Sequence, residues 1–174
     1  MLRNLTISFI ITALLAGCAM SNDGEKKVVS VDLVDLQRYV GNWYEIGSFP
    51  MFFQRQCVAN SQANYTVEPE GKIGVHNQCQ TKDGFDKADG VAVAVDGSHN
   101  AKLRVSFFGP FWADYWIIGL DPEYKWALVG NPNRKYLWLL SRSKSLPQDQ
   151  LDSALEVARK QGFDLNKFHY TVQH

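Results

Sequence analysis

Gly41-Asn42-Trp43-Tyr44-Glu45-Ile46-Gly47-Ser48-Phe49 is the stretch on which the reading of this chain turns. A glycine two residues before a tryptophan lets the backbone pass close beneath the indole, which then lies flat as a floor for the strand that begins there. Trp43 is therefore read as a plug. From Trp43 onward strand-like runs follow at about 43–49, 57–67, 72–80, 88–95, 101–108, 113–120, 125–130 and 136–143, without helical period. The breaks between them, such as Glu68-Pro69-Glu70-Gly71, Asp83-Gly84, Asp96-Gly97, Gly109-Pro110 and Asn131-Pro132-Asn133, are spaced so closely that only hairpins fit. Eight hairpin-linked strands form an antiparallel meander that can close on itself and abolish both edges. The expected fold is all-β, an eight-stranded antiparallel up-and-down β-barrel.

Outside the strands, Val31 to Tyr39 suits a short helical turn leading into Gly41. Ser145-Leu146-Pro147-Gln148 has the form of a capping box, Gly162 sits where a helix would end, and Leu151, Ala154, Leu155 and Ala158 make an apolar stripe. One C-terminal α-helix packed outside the barrel is expected, and Phe168 to Val172 could add a strand beside the first.

Alternation points to an apolar interior. Leu103, Val105 and Phe107 face one way in the fifth run, Ala59, Ser61, Ala63, Tyr65 and Val67 in the second, and Val91, Val93 and Val95 form one face of the fourth. Small residues on inward parity, Ala59, Ser61, Ala63 and Gly119, favour a cavity over a filled core, provided no bulge inverts the parity.

The first 17 residues carry one positive charge, Arg3, and then an apolar run from Leu5 to Ala16, too short to span a bilayer. They read as a secretory signal that is removed. Leu15-Ala16-Gly17-Cys18 resembles the lipobox of bacterial lipoproteins, which implies a lipidated Cys18 held in the membrane through its acyl chains. Ala19, where an aspartate would suggest inner-membrane retention, points to the outer membrane, most simply facing the periplasm. Residues 18–30 are expected as lipidated anchor and flexible tether, and 31–174 as a single domain. Removal of residues 1–17 leaves 157 residues with a formal charge of −1. Such a chain has no basic footprint for nucleic acid.

Three separated motifs resemble the lipocalins, above all the bacterial outer-membrane lipocalins and their plant and apolipoprotein D-like relatives. Gly41-Asn42-Trp43-Tyr44 matches the opening of their first strand, Asp121-Pro122-Glu123-Tyr124 resembles their Thr-Asp-Tyr turn with a proline and an inserted residue, and Arg142 matches the arginine that stacks over the tryptophan. Counting hairpins brings all three to one end. Gly41, Trp43, Asp121, Tyr124 and Arg142 are therefore assigned to barrel closure. Loops 50–56, 81–87, 109–112 and 131–135 fall at the other end, the mouth. Two of these are aromatic, Phe49-Pro50-Met51-Phe52-Phe53 and Phe107-Phe108-Gly109-Pro110-Phe111-Trp112, as for a rim that meets lipid or a second subunit in a homodimer, or a lid folded over the cavity. Arg55, Lys82, Arg134 and Lys135 on mouth loops could meet a phosphate or carboxylate.

Parity from these anchors, with the resemblance, nominates Tyr65, Leu103, Val105, Phe107, Tyr115, Ile117, Tyr136, Trp138 and Leu140 as the ligand lining. Such a wall suits an acyl chain, and the resemblance implies a fatty acid or lysophospholipid held for storage, transport or membrane maintenance. A carrier of a pigment or haem-like ring and a lipid-modifying enzyme are the alternatives. Against the enzyme, there is no Gly-x-Ser-x-Gly elbow and no metal-spaced His/Cys cluster, and no cofactor is expected. Cys57 and Cys79 can form a disulfide in an oxidising compartment or remain two buried thiols. In regular register Cys57 opposes a residue three beyond Cys79, about 10 Å away, so the bond needs a bulge or a shifted register.

Overall fold

The computed structural model describes residues 26–174. The proposed signal, its cleavage and the lipidation of Cys18 lie outside the described residues. After a short helix α1 (Leu36–Tyr39) come eight strands: β1 (Gly41–Ser48), β2 (Ala59–Val67), β3 (Ile73–Thr81), β4 (Gly84–Ala94), β5 (Lys102–Phe108), β6 (Phe111–Leu120), β7 (Trp126–Gly130) and β8 (Leu137–Ser141). Helix α2 (Gln148–Lys160) and a short β9 (His169–Tyr170) complete them. Each strand pairs antiparallel with the next, and β1 pairs with both β8 and β2, so the sheet closes into a barrel.

Two apolar clusters divide the core. Trp43, Tyr65, Leu103, Val105, Ile117 and Leu140 belong to the inner one. The outer one packs Leu128, Leu137 and Leu139 of the barrel against Leu151, Ala154 and Ala158 of α2. The five residues of β7 are all buried because its outer face lies under the helix.

The structure corrects several sequence expectations. β4 begins at Gly84 instead of residue 88, after a two-residue turn at Lys82-Asp83. Its first six residues are exposed, so no hydrophobic alternation marks them as strand. Farther along β4, Ala92 and Ala94 face inward, and the Val91/Val93 face is the outer one. Gly119 also faces outward. The β6–β7 register shifts between Ile117 and Gly119, which inverts the parity, and a Cβ on Gly119 would lie 3.3 Å from Leu128, Trp126 and Val157. Its smallness lets α2 approach the sheet. Ser145 does not cap α2, whose N-cap is Pro147, the carbonyl of which accepts from Gln150 N and Leu151 N. The tether is docked from Lys26 on: Val28 is buried in the outer cluster, and Val29 N donates to Gln161 Oε1 at 2.7 Å.

Candidate functional site: the barrel interior and its plugged end

At one end the chain builds a plug. Gly41 takes φ +93°, a left-handed conformation that favours glycine, and turns the chain so that Trp43 enters the barrel axis. Trp43 is completely buried, and its Nε1 donates to Tyr39 O at 2.7 Å. The Arg142 guanidinium stands 3.7 Å from the indole centroid and donates to Asn42 O at 2.8 Å, Arg38 O at 2.5 Å and Tyr39 O at 3.1 Å. Burial lowers the Arg142 pKa from its ordinary value, yet a guanidinium stays charged at any physiological pH. Beside it Asp121 Oδ2 accepts from Glu123 N and Lys125 N, holding Tyr124 at φ +59°, and Asp35 N donates to the Tyr124 hydroxyl at 2.9 Å. Arg38 lies 4.1 Å over the Tyr124 ring, a contact that sequence reasoning did not anticipate.

Above the plug sits a group that only the three-dimensional arrangement reveals. The Tyr115 hydroxyl is hydrogen-bonded at 2.8 Å to Tyr39 and at 2.8 Å to Tyr65. Parity nominated Tyr65 and Tyr115, but Tyr39 comes from α1, before the strand pattern begins. Burial pushes Tyr65 up to about 12 and holds Tyr39 and Tyr115 well above the ordinary phenol range, so the hydroxyls stay neutral. Three hydroxyls bring three donors, and the two bonds among them use two. One O–H is left over for a ligand acceptor or a water.

The nominated lining divides into two tiers. Leu103 and Ile117 are completely buried and pack the floor with Val105, Tyr65 and Leu140. Phe107, Tyr115, Tyr136 and Trp138 are only half-buried and form the upper wall. Tyr136 stacks on Trp138 with centroids 5.8 Å apart and meets Phe53 at 6.0 Å. Gly90 is required opposite Phe107, since a Cβ there would come within 2.8 Å of that ring. Asn77, inward on β3, keeps a buried Oδ1 without a hydrogen-bond partner among the described residues. Its polar type hid it from a search for apolar alternation.

The mouth is rimmed by aromatic side chains directed at solvent. Phe108 is 79% exposed, Phe111 77% and Phe52 69%, so they do not roof the well. Phe53 alone of the 52–53 pair reaches back to Tyr136. Of the cations nominated there, Arg134 is engaged: its Nε donates to Gln161 O at 2.7 Å and its Nη2 to Lys26 O.

The wall between β1 and β2 has a seam. Their pairing covers Gly41 to Tyr44, after which the strands diverge. The gap is filled by the C-terminal segment: β9 pairs with Gly47 and Ser48, Thr171 N donates to Ile46 O, and Asn60 N donates to Val172 O. The Gln173 side-chain amide bridges Glu45 O and Ser61 O at 2.9 and 2.8 Å. Behind it the buried Glu45 carboxylate accepts from Thr171 Oγ1 at 2.5 Å, Ser48 Oγ at 3.1 Å and Gln54 Nε2 at 3.3 Å. Next to the seam Cys57 and Cys79 form a disulfide, with Cα atoms 5.5 Å apart. The offset is absorbed by a register shift between Ala59 and Gln62, at which Asn60 takes φ +53°, and by the curl of residues 54–57 before β2 starts.

The site is thus a closed antiparallel barrel, plugged at one end by a tryptophan under an arginine and lined toward the other by a half-buried aromatic tier. Residues 34–173 match the family model described as Lipocalin-like domain. This chain belongs to the lipocalin family. It is 38% identical to temperature-induced lipocalin-1 of Arabidopsis thaliana, over 86% of this chain and 84% of that one. It is 37% identical to the outer membrane lipoprotein Blc of Vibrio cholerae, over 93% and 94% of the two chains. Among solved structures, insecticyanin from the tobacco hornworm Manduca sexta shares the fold with a TM-score of 0.68 at 23% identity, covering 83% of each chain.

Proposed function

We propose that this lipocalin is a lipoprotein of the outer membrane, held by acyl chains on Cys18, whose barrel carries a fatty acid or lysophospholipid for storage, transport or membrane maintenance. The observation that carries this reading is the half-buried aromatic tier of Phe107, Tyr115, Tyr136 and Trp138 above a packed floor. An acyl chain entering such a well gains roughly 0.8 kcal/mol per buried methylene without directional contacts. The spare tyrosine O–H, the unpartnered Asn77 Oδ1 and the buried Ser61 give it some polar character, and the raised phenol pKa values suit a carrier better than a site needing an ionised base or nucleophile. Arg55, Lys82 and Lys135 remain at the mouth for an anionic headgroup. Relatives named outer membrane lipoprotein Blc support the anchoring and the location.

The test is titration of the delipidated chain from Ser21 onward with a fatty acid and with its lysophospholipid, following tryptophan emission. Saturable one-site binding supports the reading. Absence of binding by a folded barrel removes it and brings the ring-shaped ligands forward.

A further inference from the structure

The path of the N-terminal segment gives the barrel an orientation. Residues 26–31 run along the outside of the wall from the mouth toward the plug. Lys26 O accepts from Arg134, on the mouth loop between β7 and β8, and its Nζ reaches Lys160 O at the mouth end of α2. The Gln161 side chain then fastens the segment, accepting from Val29 N at 2.7 Å and donating to Ile118 O at 3.2 Å. Val28 is buried, Val31 N donates to Ile117 O at 2.8 Å, and Val34 N donates to His99 O, in the turn at the plugged end. The chain therefore leaves the barrel at its mouth.

We propose that the open mouth faces the membrane that holds Cys18 and docks on its lipid surface through Phe52, Phe108, Phe111 and Trp112. This rests on the anchor reading given above. Cys18 and Lys26 are eight positions apart, which a fully stretched chain covers in at most about 28 Å and a flexible one typically in about 16 Å. Ten-residue β6 alone is about 33 Å long. A tether leaving the plugged end would set the mouth a barrel length from the bilayer, whereas the docked segment sets it within reach.

Two further features agree with this polarity. Exposed phenylalanines crowd the mouth, whereas the turns at the plugged end are polar: Glu68-Pro69-Glu70-Gly71-Lys72, Asp96-Gly97-Ser98 and Asp121-Pro122-Glu123. Charge is divided in the same sense. Mouth loops 49–58, 82–83, 109–110 and 131–136 carry Arg55, Lys82, Arg134 and Lys135 against Asp83, and turns 68–72, 95–101 and 121–125 carry Glu68, Glu70, Asp96, Asp121 and Glu123 against Lys72 and Lys125. A surface of anionic phospholipid attracts the basic mouth loops, whereas at the plugged end Arg38, Arg142 and Lys144 offset the acidic turns and leave no comparable basic excess.

The full lipidated protein, reconstituted in vesicles of phosphatidylethanolamine and phosphatidylglycerol with brominated acyl chains, tests the orientation. Acylation of Cys18 is checked by mass, and bromine quenching of tryptophan is compared with that of Trp112→Phe. Quenching of the parent at least twice that of the variant, with a fluorophore at Asp96→Cys open to aqueous iodide, is the expected result. Equal quenching in both proteins with Cys18 acylated overturns the orientation and leaves the anchor standing. Absence of acyl mass on Cys18 overturns both.

Discussion

Replacing Tyr115 by phenylalanine keeps the ring and deletes the hydroxyl to which both Tyr39 and Tyr65 are bonded at 2.8 Å. Each neighbour is then left with a buried hydroxyl lacking its protein partner, a cost of about 1–3 kcal/mol apiece, offset by about 1 kcal/mol because one hydroxyl fewer is buried. The expected loss is about 1–5 kcal/mol, against about 0–2 kcal/mol for Tyr65→Phe, which breaks one of the two bonds. Urea unfolding followed by tryptophan emission, with the disulfide intact, measures both. The pH dependence gives a second readout. Tyr65 titrates near 12 in the folded protein and near 10 when unfolded, so its contribution is complete below pH 10 and lost as pH rises toward 12. At 1.36 kcal/mol per unit that is about 3 kcal/mol, and the raised phenols of Tyr39 and Tyr115 act in the same direction. Tyr115→Phe should show a shallower alkaline loss because one raised phenol is gone. A variant within about 0.5 kcal/mol of the parent, the usual range for surface substitutions, with an unchanged alkaline slope, would refute the claim that this network holds the floor.

Three other changes probe separate parts of the molecule. Arg142→Ala removes the cation over Trp43 together with donors to three carbonyls and should cost about 2–4 kcal/mol in urea unfolding, with Arg142→Lys recovering part of it. Replacing Cys57 and Cys79 by serine opens a loop of 22-residue separation and should lower stability by about 3 kcal/mol, an effect that reductant reproduces on the parent and not on the variant. Gly119→Val presses a branched side chain against Leu128, Trp126 and Val157 and should cost about 1–3 kcal/mol with ligand affinity unchanged; reduced affinity at full stability would return this position to the well.

Much of the barrel is legible in the chain because hairpin turns punctuate it and inward positions alternate. The strand count, the helix with its Leu151 and Ala158 stripe, and the strand after Phe168 follow from spacing, and hairpin counting brings to one end the Trp43, Tyr124 and Arg142 that the lipocalin resemblance picks out. What failed to show depends on single backbone irregularities or on groups distant in sequence. One bulge before Gly119 reverses a face, and no composition marks a bulge. Asp86, Lys87 and Asp89 disguise the first half of β4, since a strand exposed on both faces has no alternation to detect. Val28 and Val29 resemble any two apolar residues in a polar tether; only the folded position of Gln161 shows that they are docked. Tyr39, in a helix that precedes the first strand, joins Tyr115 from 76 positions away.

The seam between β1 and β2 ties closure of the barrel to the order in which the chain is made. Residues 169–173 follow all eight strands, yet they supply the hydrogen bonds to Ile46, Asn60 and Ser61 that the two strands cannot give each other. A nascent polypeptide emerging amino terminus first can pair β1 with β8 and still leave Glu45 facing water, because Thr171 has yet to arrive. The last stave is also the clasp: until residues 169–173 are in place, the wall keeps a gap between β1 and β2.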